Sequence, residues 1–458
     1  MRAEVTIVKI PRRPPQLREI AESEWNWTIV GRALLTDTET VSGKYLHWDK
    51  LRFYPPPEDL TLEQWWFVVK SKRMAQARTI GLVDRAGDEF SYSLVDPLPE
   101  FLHSVDFEAR GAIQVPEPIT NPETKNRYLI RSLIEEAITS SQLEGAQTSL
   151  KVAKEMIREG RKPRDRSERM ILNNYLAMRH ILEVKDQDLT AGLVLEIHRI
   201  VTEDMLENPE AAGRFRQADE VVVVDDSYGE VLHEPPPARE LEARMEAMCA
   251  FANGDRPRGF LHPVLRSIIL HFWIAYDHPF VDGSGRTART LFYWSMLRHG
   301  YWLFEFIPIS RIILQAPIQY ATAYLHTETD GNDLTYFLLY HAEVIRRAIS
   351  DLHLYLERRT RQVMEAVVEL RGLTELNHRQ RALINHALRH LGFVYSMESH
   401  KNSNGVSYET ARQDLMKLAD RKLLVKSRSG KSWQFAAAED LETKLKNPGK
   451  KPRLKPKN

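Results

Sequence analysis

The chain has 458 residues, a formal net charge of +1 and 43% hydrophobic residues. That length suits about two to four domains with real apolar cores, and the balanced charge excludes a globally acidic or basic partner, leaving only local patches. A single cysteine, Cys249, excludes an internal disulfide framework and fits a reducing compartment. There is no zinc-type Cys/His spacing, Met1 to Pro15 lacks a signal-peptide apolar core, and no run approaches the ~18 apolar residues of a membrane helix, so a cytoplasmic protein with no membrane partner is expected.

Residues 1–118 read as an accessory α+β module. Val5 to Ile10 has a short strand pattern, and Trp25, Trp27, Tyr45 and Trp48 form an aromatic cluster. A helix is expected from Leu62 to Ala77, with Thr61 as its N-cap, and a strand from Phe90 to Val95. Trp65 and Trp66 are assigned to the core.

Residues 119–360 read as a helical core. Ile130, Leu133, Ile134, Ala137 and Ile138 make a helical stripe, and Gly145 is a natural stop. This places Glu144 at the negative end of the helix dipole, where a carboxylate needs a cationic partner. Pro163 and Asp165 separate a helix ending near Gly160 from the next, for which Ser167 is the expected N-cap. Helices are predicted near 167–183, 189–205, 238–253, 264–277, 285–299, 317–326 and 333–357. Between them Val221 to Val224, a turn at Asp225 to Gly229, and Val231-Leu232 read as a β-hairpin ended by Pro235-Pro236-Pro237. His271 and His278 are two helical turns apart, which does not suit a metal pair, so His271 is assigned to the core or a cap.

The most informative window is His278 to Arg289, which reads His-Pro-Phe-Val-Asp-Gly-Ser-Gly-Arg-Thr-Ala-Arg. Pro279 disfavours helical backbone at His278, so the apolar helix Val264 to Tyr276 should stop there and leave the imidazole on a loop. Gly283 and Gly285 permit a tight turn with amides pointing one way, and a new helix should begin near Ser284 or Gly285. Loop amides beside a helix N-terminus make an anion site, typically for phosphate. Arg286 and Arg289 share a face of the first turn, a mildly unfavourable placement unless an anion is bound there.

Residues 375–436 read as a winged helix-turn-helix. Its first helix runs from His378 to Leu391, with Leu383, Ile384, Ala387, Leu388 and Leu391 inward. A later helix begins after Ser407 and turns Ala411, Leu415, Leu418 and Ala419 inward, leaving Arg412, Gln413 and Lys417 outside. Leu423 to Ser427, a turn at Arg428-Ser429-Gly430-Lys431, and Trp433 to Phe435 form the wing. Lys401 to Phe435 holds eight Lys/Arg against three Asp/Glu, a local excess that permits contact with a DNA backbone through Arg412, Gln413, Lys417 and Lys431. Winged helices also contact proteins, so both readings stay open. Residues 437–458 form a basic Pro/Lys tail expected to be disordered.

The 278–289 window resembles the signature of the Fic family, His-x-Phe-x-Asp/Glu-Gly-Asn-Gly-Arg-x-x-Arg, with one departure, Ser284 in place of Asn. Ser140-Ser141-Gln142-Leu143-Glu144-Gly145 resembles the family's inhibitory motif, Ser/Thr-x-x-x-Glu-Gly/Asn, in the arrangement with an N-terminal inhibitory helix. Asn173-Asn174-Tyr175, Gly213-Arg214-Phe215-Arg216 and the hairpin resemble the same layout, and Ser407 to Leu415 resembles the winged helices found at the end of such proteins.

The resemblance implies a mainly α fold: a Fic-type helical core with a β-hairpin flap, an N-terminal α+β module and a C-terminal winged helix. It implies transfer of AMP from ATP to a Ser, Thr or Tyr hydroxyl of a protein, the chain itself included. His278 would be the general base, and an unperturbed pKa of about 6.5 suits that task. Asp282 would hold Mg²⁺ or Mn²⁺. The amides of Gly283, Ser284 and Gly285 would cradle the α-phosphate. Arg286 and Arg289 would clamp the β- and γ-phosphates. Ser140, Glu144 and Gly145 would form the inhibitory motif, with Glu144 paired to Arg289 in place of the γ-phosphate. Val222, Val223 and Val224 of the flap would align a target segment by strand pairing. Serine keeps the backbone amide but has one hydroxyl where Asn has two amide donors, so Ser284 affects activity rather than fold.

Two alternatives stay open. One is a nucleotide-sensing, DNA-binding regulator with little transferase activity; the other is reverse removal of AMP by the same site. A His-Asp phosphohydrolase is disfavoured because the chain has no His-Asp dipeptide. Neither a monomer nor a homodimer is fixed by the sequence.

Overall fold

A computed structural model describes residues 8–21, 31, 33–35, 39–57, 60–110, 122–218, 220, 224–225, 231–254, 259–373, 375–390, 392–429, 432–438 and 440–446. Val5 to Ile7, Trp25, Trp27, Val221 to Val223, Asp226 to Gly229, Leu391, Gly430, Lys431 and residues 447–458 of the tail lie outside them, but Leu441–Lys446, within the tail expected to be disordered, form a helix because Leu441 and Leu445 are buried in an apolar core. The protein is mainly helical and divides into two compact units, Met1–Gly111 with Ser132–Ile349, and Ala112–Arg131 with Ser350–Asn458. Among the described residues no helix is long and apolar enough to cross a membrane.

In the first unit, helix α1 (Leu62–Gln76) starts at a capping box in which Thr61 and Gln64 satisfy each other's amides. Trp65 and Trp66 are buried, and Trp48 meets Trp66 edge to face. Strands β1 (Arg78–Val83) and β2 (Glu89–Tyr92) form an antiparallel hairpin, and residues 93–95 lie beyond the strand. Phe90 puts its ring against Phe272, Trp273 and Tyr276, so the hairpin shares a core with the helices that follow.

The helices that follow include α2 (Pro122–Leu143), which belongs to this unit from Ser132 on, α3 (Leu150–Glu159), α4 (Arg166–Val184), α5 (Ala191–Thr202), α6 (Leu241–Asn253), α7 (Pro263–Asp277), α8 (Ser284–Arg298), α9 (Pro317–Thr329) and α10 (Thr335–Gly372), which belongs to it as far as Ile349. The central pair is α7 and α8. Ile268, Ile269, Leu270, Phe272, Leu291, Phe292 and Trp294 are sealed from solvent; α7 is apolar on nearly every face, whereas α8 also buries polar side chains, Arg286, Thr287 and Arg289 among them. The stripe of α2 is buried at Leu133, Ile134, Ala137 and Ile138, whereas Ile130 is exposed.

Several local expectations need correction. Asp165, not Ser167, caps α4, because its carboxylate reaches the Glu168 amide; the Ser167 hydroxyl instead accepts the Gln147 N–H. Helix α10 runs on past residue 357 to Gly372, since no breaker interrupts it and Leu356, Ala366 and Leu370 continue its apolar stripe. His271 is a core histidine, wholly buried and bonded to the Tyr320 hydroxyl at 2.8 Å.

The second unit is organised by helices α11 (His378–Arg389), α12 (Met397–Asn404) and α13 (Tyr408–Asp420) and a three-stranded antiparallel sheet in the order β5-β7-β6, with β5 Val394–Ser396, β6 Leu424–Ser429 and β7 Ser432–Ala437. Leu383, Ile384, Ala387, Leu388, Leu415, Leu418 and Phe435 form its core. The buried Asp414 carboxylate takes hydrogen bonds from Asn377 and Arg379 and lies 3.3 Å from His400, tying the three helices together. Helix α11 stops at Arg389, two residues before the expected end. Arg428 and Ser429 belong to strand β6 rather than to the turn, with Arg428 opposite Trp433 and Ser429 opposite Ser432.

Candidate active site

Helix α7 ends where Pro279 forbids its continuation, and His278 caps it in the left-handed region at φ 41°, ψ 58°. That backbone is costly for a residue with a Cβ, so the surroundings must impose it. Arg216 does so: its Nε donates to the His278 carbonyl at 2.9 Å and its backbone N–H to the Pro279 carbonyl at 2.9 Å. Its Nη2 also donates to the Pro236 carbonyl. Burial, with His233 and Arg216 nearby, lowers the His278 imidazole to about 4, against the opposing pull of Glu144 and of a bond to the Ala275 backbone. His233, on the hairpin strand β4 (Val231–His233), hydrogen-bonds the Tyr276 carbonyl at 2.7 Å and Glu328 at 2.6 Å.

The loop that follows is held from α5 by His198, a residue that sequence reasoning missed. The Gly213 N–H donates to its Nδ1 at 3.0 Å, so Nε2 carries the proton and donates to the Asp282 carbonyl at 2.9 Å. Its ring stacks on the buried Phe280, 3.7 Å between centroids and 7° between planes. Burial lowers His198 to about 4 and keeps this tautomer neutral. In sequence His198 is one more inward position of an amphipathic helix, and its partners are backbone groups of two loops far away along the chain.

Gly283 takes φ 87° and is the N-cap of α8 without a side-chain cap, so the first amides of α8 face the loop. A Cβ on Gly283 would lie 2.8 Å from Thr202 Cγ2, so glycine is required for space as well as for φ. Asp282 Oδ1 accepts the Gly283 N–H at 2.5 Å and lies 3.3 Å from Arg286 Nη2, while Oδ2 lies 3.5 Å from Arg166. Ser284 is buried, and its hydroxyl, the Thr287 hydroxyl and Arg286 Nε have no hydrogen-bond partner among the described residues. Buried polar atoms in that state are rare and point to a ligand site.

The two arginines do different things. Arg286 is wholly buried and donates from Nη1 to the Val201 carbonyl at 2.5 Å. Arg289 turns to helix α2: its Nε donates to Ser140 Oγ at 2.8 Å, and its Nη2 to the Ser140 carbonyl at 3.0 Å and to Glu144 Oε1 at 2.7 Å. Burial works against the guanidinium charge, yet the Glu144 carboxylate outweighs it and holds Arg289 above its ordinary value. Gly145, at φ 90°, ends the turn after α2 and so sets where Glu144 emerges.

Helix α2 is itself anchored. The buried Glu136 accepts the Ser310 N–H at 3.0 Å and the Tyr293 hydroxyl at 2.8 Å, and burial raises its carboxyl above the usual range. Asn174, on α4, donates to the Ala137 carbonyl at 3.3 Å. His278, Asp282, Gly283, Ser284, Gly285, Arg286 and Arg289 thus lie on one loop and helix start, with Ser140 and Glu144 against it. Of the flap positions, Val224 pairs with His233 in the short hairpin of β3 (Val224–Asp225) and β4, while Val222 and Val223 lie outside the described residues.

In the second unit the nucleic-acid candidates are exposed and locally engaged. Arg412 and Gln413 bond Glu409 at 3.0 and 3.4 Å, and Lys417 donates to the Glu375 carbonyl at 3.2 Å. Lys431 lies outside the described residues.

Residues 188–296 match the Fic/DOC family. The chain is 35% identical over 117 residues to the protein adenylyltransferase Fic of Nematostella vectensis, and 34% identical over 133 residues to that of Drosophila melanogaster. These matches cover 26% and 29% of this chain and 25% of each relative, so the chain spans about a quarter of the length of the curated relatives it matches. A Fic family protein from Desulfovibrio desulfuricans superimposes with a TM-score of 0.48 at 18% identity, over 75% of this chain and 97% of that one. Residues 188–296, over which the Fic/DOC family model matches, contain the whole 278–289 window and the His198 anchor, so the likeness falls on the candidate site itself.

Proposed function

We propose that the protein is an adenylyltransferase that moves AMP from ATP to a Ser, Thr or Tyr hydroxyl of a protein, and that Glu144 holds it in check. The observation that carries this reading is the 2.7 Å pair between Glu144 and Arg289, placed over the start of α8. Names of the curated relatives support the chemistry.

His278 is neutral at physiological pH and can accept the proton of an incoming hydroxyl. The hydroxyl oxygen attacks the α-phosphorus, the bond to the bridging oxygen breaks, and pyrophosphate leaves with the electron pair. The amides of Ser284 and Gly285, joined by that of Gly283 once Asp282 Oδ1 releases it, stabilise charge building on the α-phosphate, and the free Ser284 hydroxyl adds one donor. Arg286 and Arg289 hold the β- and γ-phosphates once Arg289 is freed from Glu144. Asp282 fits a hard divalent ion, since its carboxylate is 37% exposed and sits beside the phosphate amides. Mg²⁺ or Mn²⁺ there would offset phosphate charge. The strand pair at Val224 and His233 belongs to a hairpin that would serve as a flap and align the target by backbone pairing, with Val222 and Val223 in the same role.

In this reading Ser140, Glu144 and Gly145 form the restraint, and residues 119–360 act as its catalytic core. Incubation with α-labelled ATP and a divalent ion tests it: Glu144→Gly should raise protein labelling and His278→Ala should abolish it.

A second reading makes the C-terminal unit a winged helix that binds DNA, with the domain as a nucleotide sensor. It is favoured by the exposed strand β6, where Lys426 and Arg428 lie 5.4 and 5.5 Å from the Trp433 ring centroid, a cationic and aromatic surface suited to a phosphate backbone. Salt-dependent retardation of duplex DNA, lost in a Lys426→Ala, Arg428→Ala variant, would support it.

A further inference from the structure

We propose that His47, Asp49 and His326 form a binding site for a divalent transition-metal ion of the zinc type, which fastens the N-terminal segment to the end of helix α9. Three donor atoms, one from each residue, lie within 4.8 Å of one another. Asp49 Oδ1 is 3.0 Å from His47 Nδ1 and 3.2 Å from His326 Nε2. Two ligands bonded to one tetrahedral zinc at ~2.0–2.1 Å stand about 3.3 Å apart, so the carboxylate oxygen already sits at ligand distance from both rings.

The hydrogen bonds around these atoms do not close without a cation. The Thr329 hydroxyl donates to the Leu325 carbonyl, so towards His47 Nε2, 3.2 Å away, it can only accept. His47 Nε2 therefore carries a proton. That leaves a lone pair on Nδ1, which accepts the Asp49 backbone N–H at 3.2 Å yet also faces the Asp49 carboxylate at 3.0 Å. Two electron-rich atoms at that distance repel unless positive charge lies between them. His326 Nε2 is buried 3.2 Å from the same oxygen, yet makes no hydrogen bond to it or to any other group among the described residues.

Lys50 approaches the other carboxylate oxygen, Oδ2, at 3.7 Å and leaves Oδ1 for the metal. The two rings stack at 4.3 Å with 9° between planes, so loading turns one of them about its Cβ–Cγ bond until both lone pairs meet the ion. Two imidazoles and one carboxylate select zinc, cobalt or nickel over Mg²⁺, which prefers oxygen donors. The site is therefore chemically distinct from Asp282.

The test uses the untagged full chain, stripped with a chelator and titrated with Co²⁺. The expected result is a visible absorption band that saturates at one ion per chain, is displaced by Zn²⁺ and withstands excess Mg²⁺. The band should be lost in His326→Gln and in Asp49→Asn and kept in Thr329→Val, which retains all three donors. X-ray absorption on the wild-type protein gives a readout independent of any variant, with two imidazoles in the cobalt shell expected. No band in the wild-type chain, a band unchanged in both ligand variants, or a shell with another imidazole count would overturn the proposal.

Discussion

Glu144 Oε1 lies 2.7 Å from Arg289 Nη2 and only 2.3 Å from where a Cβ on Gly285 would stand. The carboxylate that follows α2 therefore rests against the turn at the start of α8, and glycine at 285 is what gives it room. A carboxylate there competes with a phosphate for the same guanidinium. The side chain of Arg289 is 2% exposed and that of Glu144 32%, so the carboxylate can swing outward while the arginine stays.

The restraint should stabilise the resting fold. Glu144→Gly removes a charge-assisted hydrogen bond to a buried guanidinium, and such bonds contribute about 1.5–3 kcal/mol. Chemical denaturation of the ligand-free chain should register a loss in that range, with tighter ATP binding in the same variant by calorimetry. Equal stability and equal ATP affinity in the two proteins would remove the case for a competing plug.

Ser284→Ala separates a ligand role from a folding role. The hydroxyl is buried with no partner among the described residues, so its loss should change stability by less than about 0.5 kcal/mol. If it contacts phosphate, ATP affinity should fall several-fold in equilibrium binding. A large loss of stability with unchanged affinity would mean that the hydroxyl serves the fold.

His198 is a positioning residue. His198→Phe keeps a ring to stack on Phe280 but cannot bridge the Gly213 amide and the Asp282 carbonyl. Loss of that bridge displaces the His278–Gly283 loop, and misplacement on the order of 1 Å costs roughly 100-fold in rate. Labelling rates in the Glu144→Gly background should fall by about that factor while His278 still titrates near its former value by NMR. An unchanged rate would reduce His198 to packing.

The pH dependence follows from the same two histidines. Both are lowered to about 4, so the base is unprotonated at neutral pH and transfer should stay flat on acidification until the pH approaches about 4, where protonation of His278 removes it. For stability the sign is fixed by comparison with the ordinary value of about 6.5. Folded-state values below it mean that the fold is favoured above 6.5 and loses stability as the pH falls through 4. Asp277, raised to about 6 by burial, works the other way in part of that window, but His341, lowered to about 3, adds to the loss. Denaturation at pH 5 should therefore give a lower stability than at pH 7.

Much of the site was legible because its information is local. Pro279 fixed the end of α7, the glycines fixed the turn, and the resemblance of Ser140 to Gly145 to an inhibitory motif implied the pairing of Glu144 with Arg289. What escaped depends on contacts distant in sequence. His198 looks like any inward helical residue, and Arg216 like any loop arginine, until two loops are brought together around them. The cap of α4 went to Asp165 because both candidates have the right chemistry and only backbone geometry chooses between them. Helix α12 and strand β5 carry few apolar residues, and their signal was a serine pair, Ser396 and Ser399, that forms a capping box. The His47, Asp49 and His326 cluster spans 279 residues of sequence and has no motif at all.

AMP transfer by the domain and its restraint by Glu144, as proposed, are visible in one assay. The most direct measurement is protein labelling from α-labelled ATP with Mg²⁺, comparing the wild-type chain, Glu144→Gly, and Glu144→Gly with His278→Ala. Weak labelling, strong labelling and none are expected, in that order. Equal labelling in the first two, or labelling that survives loss of the histidine, would contradict that proposal.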